Sequence, residues 1–140
     1  MKMKKRHPNF ILPTRGSEAA GGLDLYMPEA GECDDRTTKV GLGFSAAVPK
    51  GNVALLLPRS GTGAKFGLEL NNTCGVIDAD YRGEWIANLR TKNGERFSWD
   101  AGERVLQMVV VPAVYVTPEL VDELDDTERG EGGFGDSGRY

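Results

Sequence analysis

Val53-Ala54-Leu55-Leu56-Leu57-Pro58 is a short apolar run cut off by a proline. It is too short for a helix of usual length and reads as a buried strand. Pro58, with no amide hydrogen to donate, stops it. Ser60-Gly61-Thr62-Gly63 follows as a turn signal, with room for one short helical turn near Thr62–Lys65. Phe66-Gly67-Leu68-Glu69-Leu70 then alternates apolar and polar positions. The same grammar repeats further out. Glu84-Trp85-Ile86-Ala87-Asn88-Leu89-Arg90 alternates, with Trp85 on the face opposite Ile86. Val105 to Val116 is the longest apolar run, and Pro112 within it predicts an edge position or a bulge. Pro49-Lys50-Gly51-Asn52, Lys92-Asn93-Gly94-Glu95 and Asp100-Ala101-Gly102 are the turns between runs. Glycine makes up 19 of 140 residues, nearly twice the usual share of roughly 7%. Helical periodicity is scarce, and many closely spaced short strands predict an all-β barrel or sandwich.

The chain changes character after Pro118. Six carboxylates crowd Glu119 to Glu128, and Arg129 to Tyr140 is rich in glycine. Neither stretch has the apolar content to pack a core. A β domain over residues 1–118 and a flexible arm over 119–140 are therefore expected. The net charge of −4, from 17 basic and 21 acidic residues, argues against a nucleic-acid partner held by phosphate contacts. It leaves room for a small anion, since a local arginine cluster can oppose the global sign. Two cysteines, Cys33 and Cys74, are too few for a disulfide framework or a closed zinc site, and predict free thiols in a reducing cytoplasm. No run has the apolar length of a membrane span, and Pro8 and Pro13 interrupt the segment after the basic start, so neither a membrane partner nor a secretory signal is expected.

Four segments have the residue types for chemistry. Pro58-Arg59-Ser60-Gly61 sets a forked cation, a hydroxyl and a glycine after a strand, a combination suited to phosphate oxygens and equally to a plain polar turn. Asn71 to Gly83 contains Gly75-Val76-Ile77-Asp78-Ala79-Asp80-Tyr81. There two apolar residues precede two carboxylates and a ring, which suits a general base beside a nucleoside platform; a solvated turn is the alternative. Gln107 interrupts the apolar run Val105–Met108, and a buried amide needs a partner, backbone or ligand. Arg129-Gly130-Glu131-Gly132-Gly133-Phe134-Gly135-Asp136-Ser137-Gly138 embeds a cation, a ring and a hydroxyl in glycine, a composition able to close over a ligand.

In this order the segments resemble the five-motif set of the trimeric dUTPases. Ala20-Gly21-Gly22-Leu23-Asp24-Leu25 is similar to the first motif, Pro58–Gly61 to the second, Gly75–Gly83 to the third, Arg104–Met108 to the fourth and Arg129–Gly138 to the fifth. The resemblance implies a jelly-roll-like β-barrel and a homotrimer whose active sites are each shared by three chains. It implies a dUTP diphosphatase that releases dUMP and pyrophosphate with Mg²⁺, limiting uracil in DNA and supplying dUMP for dTMP synthesis. Carried over by position, Asp78 would activate the attacking water, and Asp80 would shape the hairpin. Tyr81 would pack under the sugar and exclude a 2′-hydroxyl. Asn72, Gly75 and Val76 would read uracil. Arg59, Ser60, Gly61 and Gln107 would hold the triphosphate. Arg129, Phe134, Gly135 and Ser137 would close the site from the arm. Asp24 would support the magnesium region indirectly, through water.

The sequence departs from the family pattern at Asp136, where a hydroxyl residue is usual. A carboxylate near a γ-phosphate is repulsive, so Arg129, Gly135 and Ser137 are the expected arm contacts. Two other readings share the scaffold. A dCTP deaminase would attack C4 of the base rather than phosphorus, and a nucleotide-gated regulatory protein would bind without turnover.

Overall fold

The computed structural model describes residues 1–92 and 94–135. Among them lie eleven strands and one helix. In chain order these are β1 (Lys2–Lys5), β2 (Gly22–Tyr26), β3 (Gly31–Cys33), β4 (Thr38–Gly41), β5 (Phe44–Ala47) and β6 (Asn52–Pro58). There follow α1 (Ser60–Phe66), β7 (Leu68–Leu70), β8 (Gly75–Ile77), β9 (Ile86–Thr91), β10 (Phe97–Trp99) and β11 (Arg104–Pro112). The architecture is the expected all-β, jelly-roll-like one. The largest sheet runs β2-β11-β6-β8, a second runs β4-β9-β7, and two strand pairs, β1-β5 and β10-β3, complete the wall. Every pairing is antiparallel.

Period-two patterning explains which side chains meet inside. On β9, Trp85 just before the strand is fully buried while Ile86 is 49% exposed, followed by buried Ala87 and Leu89. Trp85 stacks at a tilt on Phe44, 5.0 Å between ring centres, and Phe44 on Phe10 at 5.3 Å. Leu25, Met27, Leu42, Leu56, Leu106 and Met108 join them in the core. Strand β6 is buried on one face only: Ala54 and Leu56 point inward, while Val53, Leu55 and Leu57 are half-covered. The apolar run gave no alternation because both faces carry hydrophobes, and the outer face of this sheet is only partly roofed by the chain itself.

Pro112 does not make β11 an edge strand. It is the last residue of β11 and pairs with Asn52 of β6. On the β2 side the pairing has already stopped at Val109↔Gly22, so no partner there needs the missing N–H. The bulge lies at the other end, between Arg104 and Leu106. Beyond Pro112 the expected strand to Val116 does not continue. Ala113 donates its amide to Gly51 O at 2.9 Å, and the described residues after it hold neither helix nor strand. Both cysteines are free; burial and then the charge of Asp34 push the buried Cys33 thiol up to about 11. No helix among the described residues is long and apolar enough to cross a membrane.

Candidate active site

One corner of the large sheet gathers charge. Asp24 on β2 stands opposite Gln107 on β11, which stands opposite Leu57 on β6. Chain order therefore delivers three distant segments to one spot. The Asp24 side chain is only 11% exposed and both its oxygens are engaged: Arg59 Nε lies 2.9 Å from Oδ1, and Arg104 Nη1 3.1 Å from Oδ2. Arg59 also donates from Nη1 to the Arg104 carbonyl at 3.0 Å. Gln107 donates from Nε2 to Pro58 O at 3.1 Å, and its Oε1 lies over Gly22, where a Cβ would come within 2.6 Å of it. Glycine at position 22 therefore makes room for the amide.

Helix α1 starts at this corner. Pro58 ends β6, and Arg59 in an extended conformation is the N-cap. The buried Thr62 hydroxyl reaches the carbonyls of Arg59 at 2.9 Å and Val105 at 3.0 Å, tying the turn to β11. Gly67, at φ 62°, ends the helix in the left-handed region that glycine favours. Ser60 and Gly61 are exposed at its start, and no side chain caps it. The corner thus offers two guanidinium groups, an amide, a hydroxyl and unroofed backbone N–H groups, a donor set that suits an oxyanion.

The hairpin after β8 makes a different kind of site. Gly75 pairs with Leu56, and a Cβ there would sit 2.9 Å from Leu56 Cβ, so glycine lets β8 lie close on β6. Val76, Ile77, Asp78, Tyr81 and Ile86 line a cavity of about 160 Å³. Tyr81 N–H returns to Asp78 O at 3.2 Å, closing the turn, and Arg82 Nη1 braces it on the carbonyls of Ala79 (2.7 Å) and Tyr81 (3.0 Å). Asp78 and Asp80 also line a larger cleft of about 720 Å³ with Lys50, Arg82 and Tyr115. Asp78 is exposed to water. Asn72 sits in the turn before β8, outside the small cavity's lining, and its Nδ2 donates to Cys74 O at 3.2 Å. Thr73, at φ 67°, takes the left-handed step between them.

These two assemblies occupy opposite ends of β6. The register Leu56↔Gly75 and Ala54↔Ile77 carries Asp78 past Val53, whereas Arg59 follows Pro58 at the far end. Six residues of extended chain separate those points by about 20 Å at roughly 3.3 Å per residue. One chain therefore brings Asp24, Arg59 and Gln107 together, and separately Val76, Asp78 and Tyr81, but not the two sets. From the arm, Arg129 Nε donates to Gly132 O at 2.8 Å, and Phe134 is fully exposed. Gly135 is at φ 98°. Ser137 and Asp136 lie outside the described residues.

Arg104, Ile77 and Ile86 belong to these assemblies, and the sequence assigns none of them a role. Ile86 had a legible signal. Alternation that buries Trp85 turns an isoleucine outward beside the hairpin. Arg104 opens the fourth motif, but only the fold sets it against Asp24, eighty residues earlier. Nor does the corner fit a protein-held magnesium. Both Asp24 oxygens face arginines, and no group of three His, Cys, Asp or Glu among the described residues is arranged to hold a metal.

The fold and site define a jelly-roll-like β protein with a donor-rich corner at one end of a sheet and a small cavity of mixed polarity beside a carboxylate toward the other. Comparison with known proteins narrows it. The dUTPase family model matches residues 8–138. The deoxyuridine 5'-triphosphate nucleotidohydrolase of Enterobacter sp. (strain 638) is 40% identical over 139 residues, covering 93% of this chain and 88% of that one. A variant of the Staphylococcus bacteriophage 80alpha dUTPase, solved with dUpNHpp, superposes with a TM-score of 0.87 at 26% identity, over 99% of this chain and 98% of that one. A variant dUTPase of S. aureus phage phi11, described as coordinating a structural Mg(II) ion, shares the fold at a TM-score of 0.76 and 21% identity, over 87% and 96% of the two chains. The chain belongs to the dUTPase family.

Proposed function

We propose that this chain hydrolyses dUTP to dUMP and pyrophosphate as one subunit of a homotrimer with shared active sites. The observation that carries the reading is the separation of the Asp78–Tyr81 hairpin from the Arg59 corner by the length of β6. Each half lacks what the other has, and a second copy supplies it. Support for association also comes from Val114, Tyr115, Val116, Leu120 and Leu124, a run of exposed hydrophobes that the chain does not cover.

In this reading the hairpin takes the nucleoside. Val76, Ile77 and Ile86 wall the uracil and deoxyribose, and the polar groups of Asn72 and the Gly75 backbone read the base edge. Cytosine presents an amine donor where the site expects an acceptor, a mismatch that costs about 1–3 kcal/mol per buried group. Tyr81 lies under the sugar and leaves no space for a 2′-hydroxyl. A neighbour's Arg59, Ser60, Gly61 and Gln107 hold the phosphates. The arm of the third chain brings Arg129, Gly135 and Ser137 to the γ-phosphate and Phe134 over the uracil ring.

Asp78 accepts a proton from a water molecule whose oxygen attacks the α-phosphorus in line. The bond from that phosphorus to the α,β-bridging oxygen breaks, and pyrophosphate leaves with the bond's electrons, its charge met by the arginines. Magnesium bound to the substrate rather than held by this chain would supply charge neutralisation. The cellular role that follows is cytoplasmic: keeping uracil out of DNA and supplying dUMP for dTMP synthesis.

The test is pyrophosphate release from dUTP, dTTP, dCTP and UTP, with and without Mg²⁺, alongside ammonia release from dCTP. Magnesium-dependent turnover of dUTP alone is expected, and ammonia from dCTP would overturn it. Asp78→Asn should lose at least a hundredfold in kcat while still binding dUTP, since general-base catalysis contributes about 10²–10⁴-fold; full turnover would remove Asp78 from its role. Sedimentation should give a trimer, and a fully active monomer would refute the shared site.

A further inference from the structure

Tyr81 can reject a 2′-hydroxyl only if its ring is held still, and the means of holding it lie outside the cavity. The phenol hydroxyl donates to the backbone carbonyl of Glu84 at 2.9 Å. The ring lies against Gly83, where a Cβ would fall 2.5 Å from Tyr81 Cζ. Residue 84 is therefore the ring's anchor point, and the question is what fixes residue 84. Its carboxylate leaves the hairpin and accepts the N–H of Gly43, 3.0 Å from Oε1, in the turn between β4 and β5. Gly43 is at φ 75°, a conformation that presents this N–H at little cost only in glycine. Gly41 leaves the space that the carboxylate fills, since a Cβ there would come 2.8 Å from Oε1. The adjoining residue is pinned to the same turn: Trp85 N–H donates to Phe44 O, and Leu42 N–H to Trp85 O, both at 2.9 Å.

We infer that Glu84 is a positioning residue for sugar selectivity: its side chain clamps the root of the hairpin to the β4–β5 turn, and its own carbonyl then holds the Tyr81 ring against the sugar. It touches no part of the substrate. The inference rests on the dUTP reading above and adds a determinant of deoxyribose choice to it. A half-buried carboxylate that accepts the Gly43 N–H and fills the space over Gly41 is a built contact, unlike a freely solvated glutamate.

The experiment compares kcat/KM for dUTP and for UTP in wild type, Glu84→Ala, Glu84→Gln, Tyr81→Phe and the Glu84→Ala/Tyr81→Phe double variant. Glu84→Ala should lower the dUTP-to-UTP ratio by roughly tenfold, the factor that one hydrogen bond of ordinary net strength supports. The change should come mainly from better use of UTP, with kcat for dUTP kept within about threefold. Glu84→Gln keeps an acceptor for Gly43 N–H and should restore the wild-type ratio. Tyr81→Phe should lower the ratio by a similar factor, and the double variant should fall no further, because both changes break one linkage. If Glu84→Ala does not fold, Gly41→Ala crowds the same carboxylate and should lower the ratio in its place. An unchanged ratio in Glu84→Ala, or additive losses in the double variant, would overturn the inference. A wild type that does not turn over dUTP would instead overturn the functional reading on which it stands.

Discussion

Asp24→Asn isolates what holds the oxyanion corner together. The carboxylate is 11% exposed and lies between Arg59 and Arg104, whose side chains are 35% and 44% exposed. Asparagine keeps the shape and removes the charge. Its amide nitrogen then points a donor at a guanidinium that is itself a donor. Breaking a wholly buried pair costs about 3–5 kcal/mol. Here both arginines can turn to water, so the cost falls to about 1–2 kcal/mol, nearer the range of exposed pairs. Urea unfolding at fixed protein concentration should show this as a lower midpoint with an unchanged slope. Concentration must be held because the proposed assembly would contribute to stability. Arg59 would lose its anchor, so KM for dUTP should rise about three- to tenfold, the effect of one weakened charged contact of roughly 1 kcal/mol. In the proposed reaction Arg59 also meets the charge of the departing pyrophosphate, so kcat should fall together with the rise in KM. Assays over a range of Mg²⁺ then separate two roles. If Asp24 acts by holding arginines, extra magnesium does not restore KM. Full rescue by magnesium, or a variant with wild-type stability and KM, would refute the argument.

Gly75→Ala should cost about 1–3 kcal/mol of stability, the range for overpacking, because its Cβ would sit 2.9 Å from Leu56 Cβ between two paired backbones; wild-type unfolding in urea would show that β8 can move away freely. On the β7–β9 surface, desolvation pushes the Glu69 carboxyl up, but hydrogen bonds and charge from Arg90 and Lys92 outweigh it and hold the group below its ordinary 4.5. A carboxyl lowered in the folded state stabilises above its unfolded pKa and loses that contribution as pH falls through the folded value. The stability difference between wild type and Glu69→Gln should therefore be constant near neutrality and shrink below about pH 4.5, and a difference that widened in acid would reverse the assignment. Asp136→Ser should lower KM for dUTP by removing a carboxylate from the expected γ-phosphate contacts; an unchanged or higher KM would show that Asp136 does not repel substrate.

Much of the fold was legible because period-two patterning is local. The alternation Trp85 in, Ile86 out can be read from seven residues. Pro58 marks its boundary by backbone chemistry alone, whereas the run from Phe66 to Leu70 begins one residue inside α1, with Gly67 capping the helix. Pro112 was misjudged as an edge signal for the opposite reason. Whether a proline sits where a donor is needed depends on how far the neighbouring strand extends, and β2 stops three residues short of it. The end of β11 follows the same ground: apolar residues 113–116 satisfy the pattern of a strand but pair with no strand among the described residues.

The motifs and their order, which are properties of covalent sequence, determined that this chain resembles a dUTPase and which residue types would meet a triphosphate, a ring and a water. Only the tertiary structure decided which of them are neighbours. Antiparallel register on β11 set Gln107 beside Asp24, and through Asp24 set Arg59 beside Arg104. The same register on β6 put Asp78 at the far end. The carboxylate expected to support magnesium through water is placed as the brace of two arginines, and the hairpin stands apart from the corner within one chain. Sequence separation fixes neither outcome, because hydrogen-bonded pairing between strands, rather than distance along the chain, determines which side chains share a surface.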